Sequence, residues 1–327
     1  MPPSPTPRDV GTGVGLVLVA TFSVQVGAGL ARSLFDALGP GGTVWLRLVA
    51  ATAALGLAAR PWRHGRPTAA GLLRRLRDPR APQVALFGAV LALMNTTFYL
   101  SIARIPLGLA VAVEFLGPLT LTLALSRRAR DAVWALCAAA GLVALVAGPA
   151  LAEAGGAQGV PDAVGLGLAA VAGAAWAAYI VCSQRVGALV PGARGLAGAM
   201  AVATVLTLPR GVHALPRMDD AATVLGGLAV GLLSSAIPYG AELEALRRIP
   251  ARVFGVLLAL DPVAAALAGL VVLGQRLHAG QWGGVALVCA AGVGATWSAR
   301  AAAPREPGAP REPGAAHERP PGPASAQ

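Results

Sequence analysis

Apolar residues in this chain neither alternate nor mark a single helical stripe. They come in long unbroken runs, separated by short segments where arginine, proline and glycine collect. A helix needs about 20 apolar residues to cross a hydrocarbon core. Ten runs approach that length: 11–31, 42–59, 82–103, 106–126, 132–150, 162–184, 192–208, 221–245, 251–274 and 279–298. The first follows Arg8 but is too long for the apolar core of a signal peptide, and nine similar runs follow it. The pattern predicts an all-α polytopic membrane protein with ten transmembrane helices.

Composition agrees. Of 327 residues, 56% are apolar and 13% charged, against about 25% charged in soluble domains. The net charge of +11 comes entirely from arginine, since lysine is absent. These arginines lie in short loops, where they orient a membrane protein and do not form a nucleic-acid surface. With the N-terminus inside, 20 arginines fall in inside segments and 5 in outside loops, with Arg47 inside a span. Both termini are therefore expected in the cytoplasm, in a bacterial plasma (inner) membrane. The basic loop 60–80 is read as topogenic, with a short interfacial helix as the alternative. Residues 299–327, rich in Pro, Gly, Ala, Arg and Glu, are expected to be a disordered cytoplasmic tail. Cys137, Cys182 and Cys289 lie inside apolar runs and read as packing residues. The four histidines form no ligand cluster, and no metal or cofactor is expected.

The chain repeats itself. YLSIARIPLGLAVAVEFLGP (99–118) and LEALRRIPARVFGVLLALDP (243–262) share Arg-Ile-Pro and the same distance to a second proline. A weaker echo links 14–20 with 164–170. The expected organisation is a tail (1–10), a first unit of five helices (11–150) and a second (162–298). An odd number of spans per unit turns the second copy upside down, and the arginines around the two Arg-Ile-Pro turns agree. Inverted repeats of this kind carry substrate sites near the midplane.

Residues 238–277 (PYGAELEALRRIPARVFGVLLALDPVAAALAGLVVLGQRL) and 107–128 (LGLAVAVEFLGPLTLTLALSRR) resemble the EamA-type drug/metabolite transporter superfamily, most nearly its threonine/homoserine exporter group. The resemblance covers about residues 11–298. It implies two EamA repeats and proton-driven export of small amino acids. Two positions depart from the family pattern. Asp261-Pro262 stands where Glu-Pro is common, and Gly274-Gln275 where Gly-Glu is common. The second change removes an acid near the outer end of a helix, which puts a coupling role there in doubt.

Ionisable groups in a span cost about 2.5–3.5 kcal/mol each on insertion scales, so they tend to face a cavity or a partner. Here they are Arg47, Glu114, Glu242, Glu244 and Asp261. Arg47 and Glu114 lie at similar depth, either as a structural ion pair or as holders of a zwitterion's two charges. Pro118 takes the N–H from the carbonyl of Glu114 itself, so Gly117 and Pro118 are expected to leave a free acceptor beside the acid. Pro262 does the same at Leu258. A packing kink is the alternative for both prolines. Glu244 reads as an interfacial partner of Arg247 and Arg248, and Glu242 as a cavity or proton-relay residue. Asn95 and Tyr99 share a helix face; with Tyr239 and Gln25 they are candidate hydrogen-bonding groups, interhelical glue being the alternative. Ser23, Trp176 and Tyr179 also interrupt apolar runs.

Partners expected from this reading are an amino-acid substrate, protons and the lipid bilayer. An exporter of a drug or another metabolite is the alternative within the class. A membrane-embedded enzyme is disfavoured, because no nucleophile has a plausible base. A scaffold or sensor is disfavoured because no soluble domain is attached.

Overall fold

A computed structural model describes residues 7–59, 78–124, 132–152, 162–190, 194–249 and 251–300. Most of the basic loop 60–80 and nearly all of the tail 299–327 lie outside these residues. The described chain is helical throughout and contains no strand. In order the helices are α1 (Pro7–Ser33), α2 (Phe35–Ala59), α3 (Ala81–Ile102), α4 (Leu107–Ala124), α5 (Ala132–Ala152) and α6 (Ala163–Leu189). Then come α7 (Arg194–Ala214), α8 (Ala221–Gly231), a π turn (Leu232–Ala236), α9 (Ile237–Leu246), α10 (Ala251–Leu258), α11 (Asp261–Leu273) and α12 (Ala279–Arg300).

Among the described residues seven helical stretches are long and apolar enough to cross a membrane: Val10–Ser33, Ala81–Ile102, Leu107–Ala124, Ala163–Leu189, Arg194–Arg217, Ala221–Glu242 and Val256–Leu273. Ala132–Leu145 and Ala279–Ala295 are shorter apolar helices. The expected run 42–59 is helical, within α2, but falls outside these seven. Large apolar side chains cover the outside of the bundle: Val271 is 82%, Trp297 73% and Leu136 71% exposed. In water such a surface would aggregate; in lipid it needs no cover. The protein is a multi-pass membrane protein.

Helix ends follow local chemistry. α2 is broken at Gly39, whose φ of 67° suits glycine, and resumes at Pro40. α11 ends on Gly274 in the left-handed conformation. Asp162 caps α6 through the N–H of Val164 and pairs with Arg104 at 2.8 Å. That Arg104 hydrogen bond holds the exposed Asp162 carboxyl below its usual pKa range. Gln275, one of the two departures from the pattern the resemblance implies, accepts from the N–H of Leu107 at 3.0 Å and so caps α4.

Packing relies on missing side chains. A Cβ on Gly117 of α4 would overlap the backbone of Gly173 on α6, and one on Gly173 would sit 2.5 Å from the Glu114 carbonyl oxygen. The Arg104-Ile105 turn packs on Gly165 of α6, and the Arg248-Ile249 turn packs on Gly13 of α1. Polar side chains add fixed points: Ser101 Oγ donates to the Gly165 carbonyl at 2.8 Å, and Thr52 and Thr204 share a hydrogen bond of 2.8 Å. α2 lies along α7, and α5 along α12.

Gly167, six residues before Gly173 on the same helix, has open space where a Cβ would stand, with nothing within 4 Å. Gly173→Ala should therefore destabilise the protein by about 1–3 kcal/mol through overpacking. Gly167→Ala should be neutral or slightly stabilising, as alanine is the better helix former. Thermal unfolding in detergent checks both; equal midpoints would mean that the α4–α6 crossing does not depend on glycine.

Candidate functional site

A cavity of about 450 Å³ opens between the helices. Each charged or polar group on its wall is there for a local reason. Pro238, at the start of α9, has no N–H to offer the carbonyl four residues earlier, that of Ser234. The helix widens here into the π turn, and Arg47 of α2 donates from Nη2 to the Ser234 carbonyl at 3.3 Å. Ser23 of α1 donates to the neighbouring Leu233 carbonyl at 2.7 Å. The backbone acceptors loosened by the turn are thus taken by two side chains from other helices. The Arg47 guanidinium also lies 5.4 Å from the centre of the Tyr99 ring, a cation–π contact worth more when desolvated.

Eight of the residues expected from the sequence line this one cavity: Gln25, Arg47, Asn95, Glu114, Pro118, Tyr239, Glu242 and Asp261. Glu114 is 9% and Asp261 7% exposed. Asn95 donates to the Leu91 carbonyl at 2.8 Å, so part of its amide is used within α3. Asp261 opens α11, with the Thr21 hydroxyl of α1 beside its carboxyl; its Oδ1 has no hydrogen-bond partner. Trp176 and Tyr179 of α6 complete an aromatic wall, the Trp176 ring edge-on to Phe115 at 6.2 Å.

Three expected residues are elsewhere. Tyr99 is fully buried behind the wall, between Phe35 and Phe98, so it supports Arg47 and does not share the cavity with Asn95. Gly117 forms the crossing with α6. Pro262 is buried in the first turn of α11. The freed Glu114 carbonyl, expected beside the carboxylate, is turned onto Gly173 of α6. The absent Cβ lets that backbone come close enough for Cα–H to meet the oxygen. α4 stays helical through Pro118, whereas the chain breaks between Leu258 and Asp261 ahead of Pro262.

Arg47 and Glu114 do not pair. The ion pairs of the described residues are Arg104–Asp162, Arg247–Glu244 and Arg248–Glu244. Glu244 thus holds both arginines at the helix end, as its spacing predicted, while Glu242 two residues earlier faces the cavity. Sequence reading missed Ser234, which lines the cavity with its hydroxyl unpartnered. The signal was present: Ser234 stands four residues before Pro238, the spacing already used for Glu114 and Pro118.

Arg47→Met should lower stability by about 1.5–3 kcal/mol, because it removes the charged hydrogen bond that the Ser234 carbonyl accepts from another helix. Glu114→Gln breaks no ion pair and should leave the unfolding midpoint unchanged or raise it. A large loss of stability in Glu114→Gln would restore the structural-pair reading.

A sequence profile of the EamA-like transporter family matches residues 163–297. Threonine/homoserine exporter RhtA of Salmonella typhimurium (strain SL1344) is 38% identical over 308 residues, covering 94% of this chain and 97% of that protein. Threonine/homoserine exporter RhtA of Escherichia coli (strain K12) is 37% identical over 300 residues, covering 92% and 96%. A solved crystal structure covers 88% of this chain and 98% of its own, with 23% identity and a TM-score of 0.56, a likeness of fold alone.

Proposed function

The chain belongs to the EamA-like transporter family, and from that premise we propose that it exports small amino acids, threonine and homoserine foremost, as a secondary transporter. The observation that carries the reading is one cavity holding an unpaired cation, Arg47, together with Glu114, Glu242 and Asp261. A zwitterion offers a carboxylate to the first and an ammonium to the second kind of group. The site has room for one such molecule. In this reading Arg47 takes the carboxylate, Glu114 and Asp261 face the ammonium, and Glu242 beside Tyr239 serves as proton carrier. Gln25 and Asn95 supply neutral hydrogen bonds.

The proposed architecture is ten spans in two inverted units, 11–150 and 162–298, in the plasma membrane with both termini cytoplasmic. The two Arg-Ile-Pro turns support it. Each packs against a glycine on the first helix of the other unit, Gly165 or Gly13. These contacts align 13–20 with 165–172, a two-residue shift from the echo of 14–20 with 164–170. The arginine distribution puts Thr122, Phe254 and Ala295 toward the cytoplasmic side of the cavity they line. On the opposite side Gly108 packs tightly on the backbone of Ala266, and Gln275 ties that end to Leu107. This supports an inward-facing conformation, with the outer mouth closed between α4 and α11.

Proteoliposomes loaded with labelled threonine or homoserine should release them faster when a proton gradient is imposed. Glu114→Gln should slow release at least about tenfold, the scale of one lost charge-assisted contact of about 1.5 kcal/mol or more. Glu244→Gln, which touches only an exposed ion-pair cluster, should retain it. Unimpaired release by Glu114→Gln would remove that residue from the site, and no release of either amino acid by the unaltered protein would overturn the export reading.

A further inference from the structure

We propose that a second cavity, between the break in α2 and the end of α7, binds an anionic lipid headgroup, its phosphate held by Arg210 and Arg217. The inference does not depend on which solute is transported, and it uses residues that take no part in the site described above.

This cavity has a volume of about 550 Å³. Gly39, Gly41 and Gly42 of α2 line one side, and Arg210, His213 and Arg217 line the other. Arg217 ends a short 3-10 turn, Leu215–Arg217, that follows α7. The space exists because α2 carries no side chains here. A Cβ on Gly39 would stand 4.0 Å from Arg217 Nη1. One on Gly41 would lie 2.9 Å from Cδ of Arg210, and one on Gly42 would overlap Ala214. The Arg210 stem is thus laid on bare backbone, with its guanidinium left at the cavity wall.

No carboxylate lines the cavity. Neither Arg210 nor Arg217 belongs to an ion pair of the described residues. Two guanidiniums and an imidazole therefore share one concave surface without a carboxylate against them. A guanidinium presents paired N–H donors that match the oxygens of a phosphate. Orienting the chain does not account for these arginines. In the proposed topology they lie outside, against the bias that sets orientation. Two other outside arginines have local partners: Arg104 pairs with Asp162, and Arg32 lies over the Phe35 ring.

Position favours a lipid over a free anion. The apolar stretch Arg194–Arg217 ends at this cavity, so the arginines stand where hydrocarbon gives way to headgroups. Leu206 is four residues before Arg210 and seven before His213, which puts it on the same face of α7 and nearer the midplane. It is 50% exposed. A phosphate on the arginines therefore has an apolar track for its acyl chain. Basic pockets between transmembrane helices hold anionic headgroups in this way. A soluble phosphate would gain nothing from the track.

The test reads the cavity itself. His213→Cys puts a thiol in its wall, and His213 is exposed, so the fold is kept. The full-length variant is placed in nanodiscs of phosphatidylcholine, alone or mixed with phosphatidylglycerol. Alkylation by a neutral, water-soluble maleimide is timed, with the protein lacking that change as the background for Cys137, Cys182 and Cys289. Phosphatidylglycerol should slow alkylation at position 213 at least about fivefold, the scale of one arginine near an anionic surface. Adding Arg210→Gln and Arg217→Gln should bring the two rates together. Should the double change disturb the α2–α7 contact, Arg217→Gln alone, in the exposed turn, should still remove most of the protection. Equal rates with and without phosphatidylglycerol overturn the site, as does protection that survives the loss of both arginines. Protection by inorganic phosphate in phosphatidylcholine that equals that of phosphatidylglycerol keeps the anion site and overturns the lipid as its occupant.

Discussion

A guanidinium inside a lipid bilayer must be supplied with acceptors, and in this protein one loosened carbonyl does much of that work. Arg47 has no carboxylate partner among the described residues. It is held by the Ser234 carbonyl, whose α-helical donor position is taken by Pro238, and by the face of Tyr99. Neither contact neutralises the charge. The cation therefore stays available to an anion in the cavity, while its direction is fixed by two helices. A neighbouring glutamate would have satisfied Arg47 more strongly and taken it out of use. The separation of Arg47 from Glu114 is what keeps both charges open.

The second constraint is how closely the helix backbones approach. At the α4–α6 crossing, glycine meets glycine and the Glu114 carbonyl is absorbed by the neighbouring backbone. If the contact register of the two proposed units is carried along the chain, Gly117 corresponds to Asp261 and Gly173 to Thr21. The equivalent crossing between α1 and α11 then holds a carboxylate beside a hydroxyl where the first unit holds two glycines. Glu114 likewise corresponds to Leu258. In that register the two proposed units differ in where their charges sit, and Glu114 and Asp261 line one cavity from different helices.

Much of this was legible in the sequence, because the cost of charge in oil makes the relevant residues few. Gln25, Arg47, Asn95, Glu114, Tyr239, Glu242 and Asp261 stood out as polar interruptions, and they line the same cavity. Glu244 was separable from Glu242 by helical spacing alone. Rotation about the helix axis was not legible at finer scale. Asn95 and Tyr99 are four residues apart, yet one faces the cavity and the other is buried behind it, because the Arg47 guanidinium takes the Tyr99 ring. Ser234 was missed because serine is unremarkable in a membrane helix until the proline four residues later is counted. The echo of 14–20 with 164–170 is offset by two from the pairing in which Gly13 and Gly165 make equivalent contacts, since short Val-Gly-Leu strings match in several frames.

The three prolines show why local rules needed the neighbours. Each removes one N–H from a carbonyl four residues earlier. At Pro118 the helix continues, and the orphaned oxygen is covered by a glycine backbone across the crossing. At Pro238 the helix widens into a π turn, and an arginine takes the oxygen. At Pro262 the helix ends and restarts, with proline in the first turn, where no N–H is needed. The covalent lesion is identical in all three, and the outcome depends on which atom the adjoining helix offers. Only at Pro238 is the group that takes the oxygen itself a charge on the cavity wall. It is also the one where the residue that holds the cation packs its own side chain on Gly27 of α1, so the position of the cation is tied to that helix contact.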